Sequence, residues 1–228
     1  MQLRQYGKIR HRTQRSGYKS QGGEAVEYLC PVCDSRARVR TLRALWPQLA
    51  LARGDTRSGK ALLVSTAKGE RRMFAERFQS VLHVSLQGDH GDPDCVTGVD
   101  ITRMPTIASG EYAFAYACAV LDYIPKVHRA FEEVHRVLEP GGTFLFFIQP
   151  WRLVRRNITV EVVGTNALSY EDYEVVNEKG ESGIPDCRFG IFWLFDQMIA
   201  TGFTPDLHSV YDPFGHMLMP WFEARKSA

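Results

Sequence analysis

The clearest pattern of apolar and polar positions runs from residue 112 to 149. Residues 112–121 are almost wholly apolar, the mark of a strand covered on both faces. From Lys126 onward, apolar residues fall at Val127, Ala130, Phe131, Val134, Val137 and Leu138. That spacing predicts one helical stripe, with His128, Arg129, Glu132, Glu133 and Arg136 facing water. Pro140 and Gly141 stop the helix, and residues 143–149 form a second buried strand. Two apolar strands joined by one helix predict a right-handed crossover in a parallel sheet.

The flanking pattern extends that unit. Short apolar runs at 61–65, 81–86 and 96–100 predict three further strands. A helix over 70–78 and a turn-rich run over 87–94 separate them. Ahead of them a helix is predicted from about Ser35, with Val39, Leu42, Leu45, Trp46 and Leu49 on one side and Pro47 kinking or restarting it. Residues 152–186 are polar, with one alternating run at 158–162, and predict an insertion over the carboxyl ends of the strands. A hydrophobic helix over 189–200 stops at Gly202, and residues 207–211 and 216–223 predict an antiparallel hairpin. The fold class is α/β: a doubly wound, mostly parallel Rossmann-like sheet with an antiparallel C-terminal edge.

Composition sets the domain count. The chain has 228 residues, 44% of them apolar, and a formal charge of +2, which fits one globular domain. We divide it into a basic N-terminal arm, 1–29, and a single domain, 30–228, with the insertion at about 152–186. No apolar run approaches membrane-spanning length and the N-terminus has no apolar signal core, so the expectation is a cytoplasmic protein without a membrane partner. The five cysteines are an odd set, and only Cys30 and Cys33 are close together, so no disulfide framework is expected. Residues 1–23 of the arm carry Arg4, Lys8, Arg10, Arg12, Arg15 and Lys19 and no acid. The arm reads either as a solvated tail or as a dock for an acidic carrier protein or other protein partner. The absence of aromatic-basic alternation argues against nucleic acid.

The residues at the crossover carry a resemblance. Val120-Leu121-Asp122-Tyr123-Ile124-Pro125, followed by Arg136-Val137-Leu138-Glu139-Pro140-Gly141-Gly142, resembles the latter half of class I S-adenosylmethionine-dependent methyltransferases. There the usual pattern is V-L-E-H-[VI]-P and then R-V-L-K-P-G-G. Cys30-Pro31-Val32-Cys33-Asp34-Ser35-Arg36-Ala37-Arg38 is similar to the C-P-V-C-G-S-x-x-R-x-R lead of one branch of that superfamily. The likeness covers roughly residues 30–150 and the helix ending at Gly202-Phe203.

The resemblance implies a cofactor, S-adenosylmethionine, and a place for it. Ser65, Lys68 and Gly69 belong to the loop after the first strand, which passes the cofactor and here holds a single glycine. Gln87 stands at the end of the second strand, where an acid usually holds the ribose hydroxyls; Asp89 and Asp92 follow further into the loop. Asp100 and Ile101 match the acid that meets the adenine amino group. Ala119 and Val120 border the methionine portion.

Asp122 and Tyr123 are the candidate catalytic residues, since either can take a proton from an acceptor hydroxyl or amine. Asp122 can equally cap the following helix. Cys30 and Cys33 offer half of a metal site, but a structural zinc needs four ligands and residues 1–29 add only His11, so no metal is expected. Arg36, Arg38, Arg40 and Arg43 either line an anionic substrate site or form the wet face of their helix. Trp151, Arg152, Trp193, Tyr211, His216 and Trp221 read as core before they read as an acceptor pocket. Two functions follow. One is methylation of a small-molecule or biosynthetic substrate. The other is a methyltransferase fold that no longer methylates, acting as a partner subunit or catalysing an elimination or ring closure; Gln87 in place of an acid and Lys68 inside the loop motivate it.

Overall fold

A computed structural model describes residues 35–53, 59–88, 91–150, 153–154, 160–162, 187–213 and 216–228. At its centre lies β1 (Lys60–Val64), parallel to β2 (Ser80–Ser85) on one side and to β4 (Tyr112–Cys118) on the other. β3 (Val96–Thr97) extends the sheet beyond β2, and β5 (Leu138–Phe147) extends it beyond β4. The C-terminal hairpin of β9 (Phe203–Asp212) and β10 (Met217–Lys226) adds to β5 through β10, which runs antiparallel to both neighbours. The seven strands stand in the order β3-β2-β1-β4-β5-β10-β9.

Period-two alternation divides the sheet between two cores. Leu62, Val64, Ala115, Ala117, Phe144, Phe146 and Phe222 face one side. There α3 (Val127–Val137) buries its stripe of Val127, Ala130, Phe131, Val134 and Val137, and α4 (Ile191–Ala200) buries Leu194 and Met198. Each large side chain so buried contributes roughly 1.5–3 kcal/mol relative to exposure. Ala61, Leu63, Phe114, Tyr116, Leu145 and Trp221 face the other side, under α1 (Ala37–Arg53) and α2 (Lys68–Ala75). Trp46 of α1 sits there edge-on to Phe74 and Phe114, with ring centroids at 5.5 and 5.6 Å. Helices on both faces of a mostly parallel sheet make the doubly wound α/β architecture that the pattern predicts.

Several details differ from the pattern. α1 runs through Pro47 rather than restarting there; Pro47 and Arg43, whose carbonyl loses its helical partner, are both on the exposed side. β3 ends at Thr97, because Gly98 turns the chain with φ +79. Residues 187–190 form a strand, β8 (Cys187–Gly190), so the hydrophobic helix begins only at Ile191. β8 joins β6 (Leu153–Val154) and β7 (Val160–Val162) in a small sheet that packs against the 3-10 turn Leu121–Tyr123. This sheet flanks the expected insertion, most of which lies outside the described residues, as do the basic arm and the Cys30/Cys33 lead.

The glycine pair after α3 has a steric origin. The register steps from Tyr112↔Leu138 to Phe114↔Thr143, so residues 139–142 bulge from the ladder. Gly141 adopts φ +78, and a Cβ on Gly142 would lie 2.8 Å from the Glu139 carbonyl oxygen. Arg136 anchors the facing loop, donating to the Ile107 and Met104 carbonyls at 2.9 Å each, while Glu133 accepts the Met104 N–H at 2.7 Å.

Candidate functional site

β1 leads leftward to β2 and β3, whereas β4 leads rightward to β5. The chain therefore reverses direction between β1 and β4, and an open parallel sheet presents its ligand crevice at the carboxyl ends of such a pair. Both strands end here in a left-handed residue that is not glycine: Ser65 with φ +51 after β1 and Ala119 with φ +53 after β4. Such conformations cost about 1–3 kcal/mol each and gather at ligand sites.

The loop leaving β1 is built from small residues. Ser65, Ala67 and Gly69 alternate with Thr66 and Lys68, and α2 begins at Lys68, so the loop opens onto a helix N-terminus. Thr66 is fully buried, and its Oγ1 has no hydrogen-bond partner among the described residues. Lys68 and Gly69 are exposed. Glu70, 1% exposed, holds the loop from below. It accepts the Ala67 N–H at 2.9 Å and the Tyr116 hydroxyl at 3.1 Å, and Arg38 of α1 lies 3.7 Å away.

The floor beside Ala119 is polar and closed to water. Burial pushes the Cys118 thiol well above its ordinary pKa, and the nearby Glu70 carboxylate adds to the rise. Tyr116 is raised in the same way, by burial first and then by Cys118 and Glu70. Both groups stay neutral, so Cys118 is no thiolate nucleophile.

The second strand ends differently from the expectation. Its last residue is Ser85, buried in the floor, and Gln87 lies two residues further on, exposed. The Ser85 hydroxyl lies 3.3 Å from that of Ser65 and donates to the Gln87 carbonyl at 2.9 Å. The strand-end position thus carries a hydroxyl, not an acid. Asp92 turns back to His83 and Arg71, at 2.9 and 3.2 Å. Partial burial raises its carboxyl, but hydrogen bonds from His83 and the Asp94 N–H, with the charge of Arg71, outweigh this and lower it. Asp89 lies outside the described residues.

Asp100 is half-buried beyond β3, where Oδ1 accepts the Thr102 N–H at 2.8 Å and the Thr102 hydroxyl at 2.9 Å. Its Oδ2 has no hydrogen bond among the described residues. Ile101 is buried in the core beside it. On the other flank Asp122 is fully buried, and its Oδ1 accepts the Gln149 N–H at 3.1 Å. It therefore ties the loop after β4 to the loop after β5. Asp122 does not cap the following helix: α3 starts at Val127, and its N-cap position is Lys126, with no side-chain cap. Tyr123 is half-buried in the same turn.

The arginines of α1 divide. Arg40 forms a paired contact with Asp212 at 2.9 and 2.7 Å, with Asp212 fully buried, and Arg38 meets Glu70, so neither belongs to a wet face. Arg43 is exposed. Trp221 is core, donating to Thr41 Oγ1 at 3.1 Å, whereas Tyr211 is exposed against His216 at 3.1 Å. Trp193 stacks on Phe189. Trp151 and Arg152 lie outside the described residues.

Residues 70–146, which run from within α2 into β5, match the family of the methyltransferase domain. The fold is that of the class I S-adenosylmethionine-dependent methyltransferases. Solved structures with this fold include an S-adenosylmethionine-dependent methyltransferase from Mesorhizobium loti, 16% identical over 80% of this chain and 98% of that one, with a TM-score of 0.53. The 1,6-didemethyltoxoflavin-N1-methyltransferase of Burkholderia thailandensis, with bound 1,6-didemethyltoxoflavin and S-adenosylhomocysteine, is 14% identical over 84% of this chain and 79% of its own (TM-score 0.56). Phosphoethanolamine N-methyltransferase 2 of Haemonchus contortus is 13% identical over 82% of this chain and 53% of its own (TM-score 0.53). Among curated protein sequences nothing matches.

Within this methyltransferase fold, sequence reasoning overlooked Glu70, His83 and Ser85 as parts of the site, and it named Arg38 only as one of four arginines on an anionic substrate site or a wet helix face. Two of them left a signal. His83 is the lone ring nitrogen carrier in the apolar run of β2, and Glu70 stands three residues after the loop's Ala67, the spacing of a residue that reaches back to a helix start.

Proposed function

We propose that the crevice between β1 and β4 binds S-adenosylmethionine and that the protein methylates a small molecule, as part of a biosynthetic pathway. The observation that carries this reading is the pair of left-handed residues, Ser65 and Ala119, at two neighbouring strand ends of the switch point. The residues present fit the cofactor at most of its length. The small side chains of Ser65, Ala67 and Gly69 let backbone come close to a ligand. Thr66 Oγ1 is a buried polar atom that the described chain leaves unsatisfied. Asp100 Oδ2 is an acceptor suited to an adenine amino group. At the ribose the hold is neutral, through Gln87 and the Ser85 region, and lacks the charge assistance of a carboxylate.

S-adenosylmethionine supplies a methyl group activated on a sulfonium. The chain's part is to orient an acceptor in line with that methyl group and to keep water away. We assign the taking of the acceptor's proton to Tyr123, half-buried in the turn and held by its N–H to the Val120 carbonyl at 3.1 Å. Asp122, behind it, holds the loop to Gln149. The small β6-β8-β7 sheet, packed on the same turn, forms the acceptor side.

One observation favours the second reading, a fold that no longer methylates. Ser85 ends β2 with its hydroxyl already bonded to Ser65 and Gln87, where an acid would grip the ribose. Calorimetric titration with S-adenosylmethionine and S-adenosylhomocysteine separates the two. The first reading expects binding that Asp100→Ala abolishes. No heat at millimolar ligand would instead support a partner subunit or a different reaction at the same crevice. The basic arm is proposed as the dock for an acidic carrier protein, a role that deletion of residues 1–29 tests by loss of carrier binding without loss of S-adenosylhomocysteine binding.

A further inference from the structure

The ligand loop is fixed at Thr66 by a closed ring of three hydrogen bonds and one ion pair. Thr66 N–H donates to His83 Nε2 at 3.2 Å. His83 Nδ1–H donates to Asp92 Oδ2 at 2.9 Å. Arg71 meets that same Asp92 oxygen through Nε at 3.2 Å, and its Nη1 donates to the Thr66 carbonyl at 2.6 Å. Both backbone groups of Thr66 are thus held, immediately after the left-handed turn at Ser65. The ring also joins two ligand loops, since Asp92 belongs to the segment after β2.

His83 is 4% exposed, and its bonding admits one protonation state. An imidazole that accepts at Nε2 and donates at Nδ1 carries a single proton, on Nδ1. A second proton must go to Nε2, where it would meet the Thr66 N–H donor against donor. Of the charged groups beside the ring, Asp92 favours the cation and Arg71, paired to the same Asp92 oxygen, opposes it.

We propose that His83 is a positioning residue for the loop 65–69, holding it in its binding form only while Nε2 is unprotonated, so that the crevice loses affinity for an adenosyl ligand as pH falls through the His83 titration. This rests on reading the crevice as an S-adenosylmethionine site. The loop is then competent only in the fraction of molecules with neutral His83, so each pH unit below the midpoint weakens binding about tenfold.

Three readouts test it. Nitrogen NMR of the His83 ring at pH 8 is expected to show Nδ1 protonated and Nε2 bare; a proton on Nε2 overturns the proposal. The affinity for S-adenosylhomocysteine is expected to fall about tenfold per pH unit in the wild type. In His83→Gln, whose side-chain oxygen accepts the Thr66 N–H without titrating, the profile should flatten. An equal slope in both proteins overturns the proposal. Should the wild type bind no S-adenosylhomocysteine at any pH, it is the reading of the crevice that fails. The hydrogen-exchange protection of the Thr66 amide then decides for His83: loss of protection on acidification supports the proposal, and constant protection overturns it. The same amide decides if the Gln variant does not fold.

Discussion

Single residues here carry either strain or ties, and the two respond differently to substitution. Gly142→Ala would place a methyl group 2.8 Å from the Glu139 carbonyl oxygen and 3.1 Å from that of Tyr112, both backbone atoms that cannot turn away. We expect a loss of about 1–3 kcal/mol in chemical denaturation, with ligand affinity unchanged because the bulge lies at the far end of β5. Asp122 tests a tie against a catalytic role. Asp122→Asn keeps an oxygen to accept the Gln149 N–H but removes the proton acceptor. If Asp122 only positions the loop, the Asn variant retains stability and turnover. Asp122→Ala leaves that N–H unsatisfied and loses about 1–3 kcal/mol. Turnover that collapses in the Asn variant, with its melting temperature intact, would return Asp122 to the role of a base.

At the scale of elements, ion pairs decide how helices and loops are fastened to the sheet. Arg40 fastens α1 to the end of β9 through the fully buried Asp212. Asp212→Asn strands a largely buried guanidinium and should cost about 3 kcal/mol in urea unfolding; a change under about 1 kcal/mol would mean that the pair is effectively solvated. Glu133 and Arg136 fasten α3 to the loop before β4. The bond from Arg136 chiefly, with the Met104 N–H against some burial, holds the Glu133 carboxyl below its ordinary pKa of 4.5. Its contribution is therefore fully present above that value and is lost as pH falls through the lowered one. The stability difference between wild type and Arg136→Met should shrink on acidification below pH 4.5, and a difference constant down to the acid transition would show that the carboxylate is not the partner that matters.

At the scale of the whole molecule, the architecture was legible because it is written in periodicity. The strands 112–121 and 143–149 and the stripe of α3 are long apolar patterns, and the crossover they define fixes the sheet and its helices. Boundaries were less legible where local geometry overrides pattern: Gly98 cuts β3 short, Gly190 separates β8 from α4, and the bulge at 139–142 starts β5 directly after α3. The crevice was legible only in part. Ser65, Asp100 and Ala119 follow from their places at strand ends. His83, Glu70 and Arg38 act through partners 17, 3 and 32 residues away, and no local spacing announces the two longer pairings. Gln87 was assigned to the strand end from the apolar run, whereas the ladder stops at Ser85.

The proposed function puts an S-adenosyl ligand across the ends of β1 and β4. Amide hydrogen exchange of the full chain, with and without saturating S-adenosylhomocysteine, locates it directly. We predict added protection at residues 65–69, 100–102 and 119–120, with no change in the exposed outer face of α4 around Phe192 and Ile199. Unchanged exchange in all three segments, or protection confined to other parts of the chain, would contradict the account.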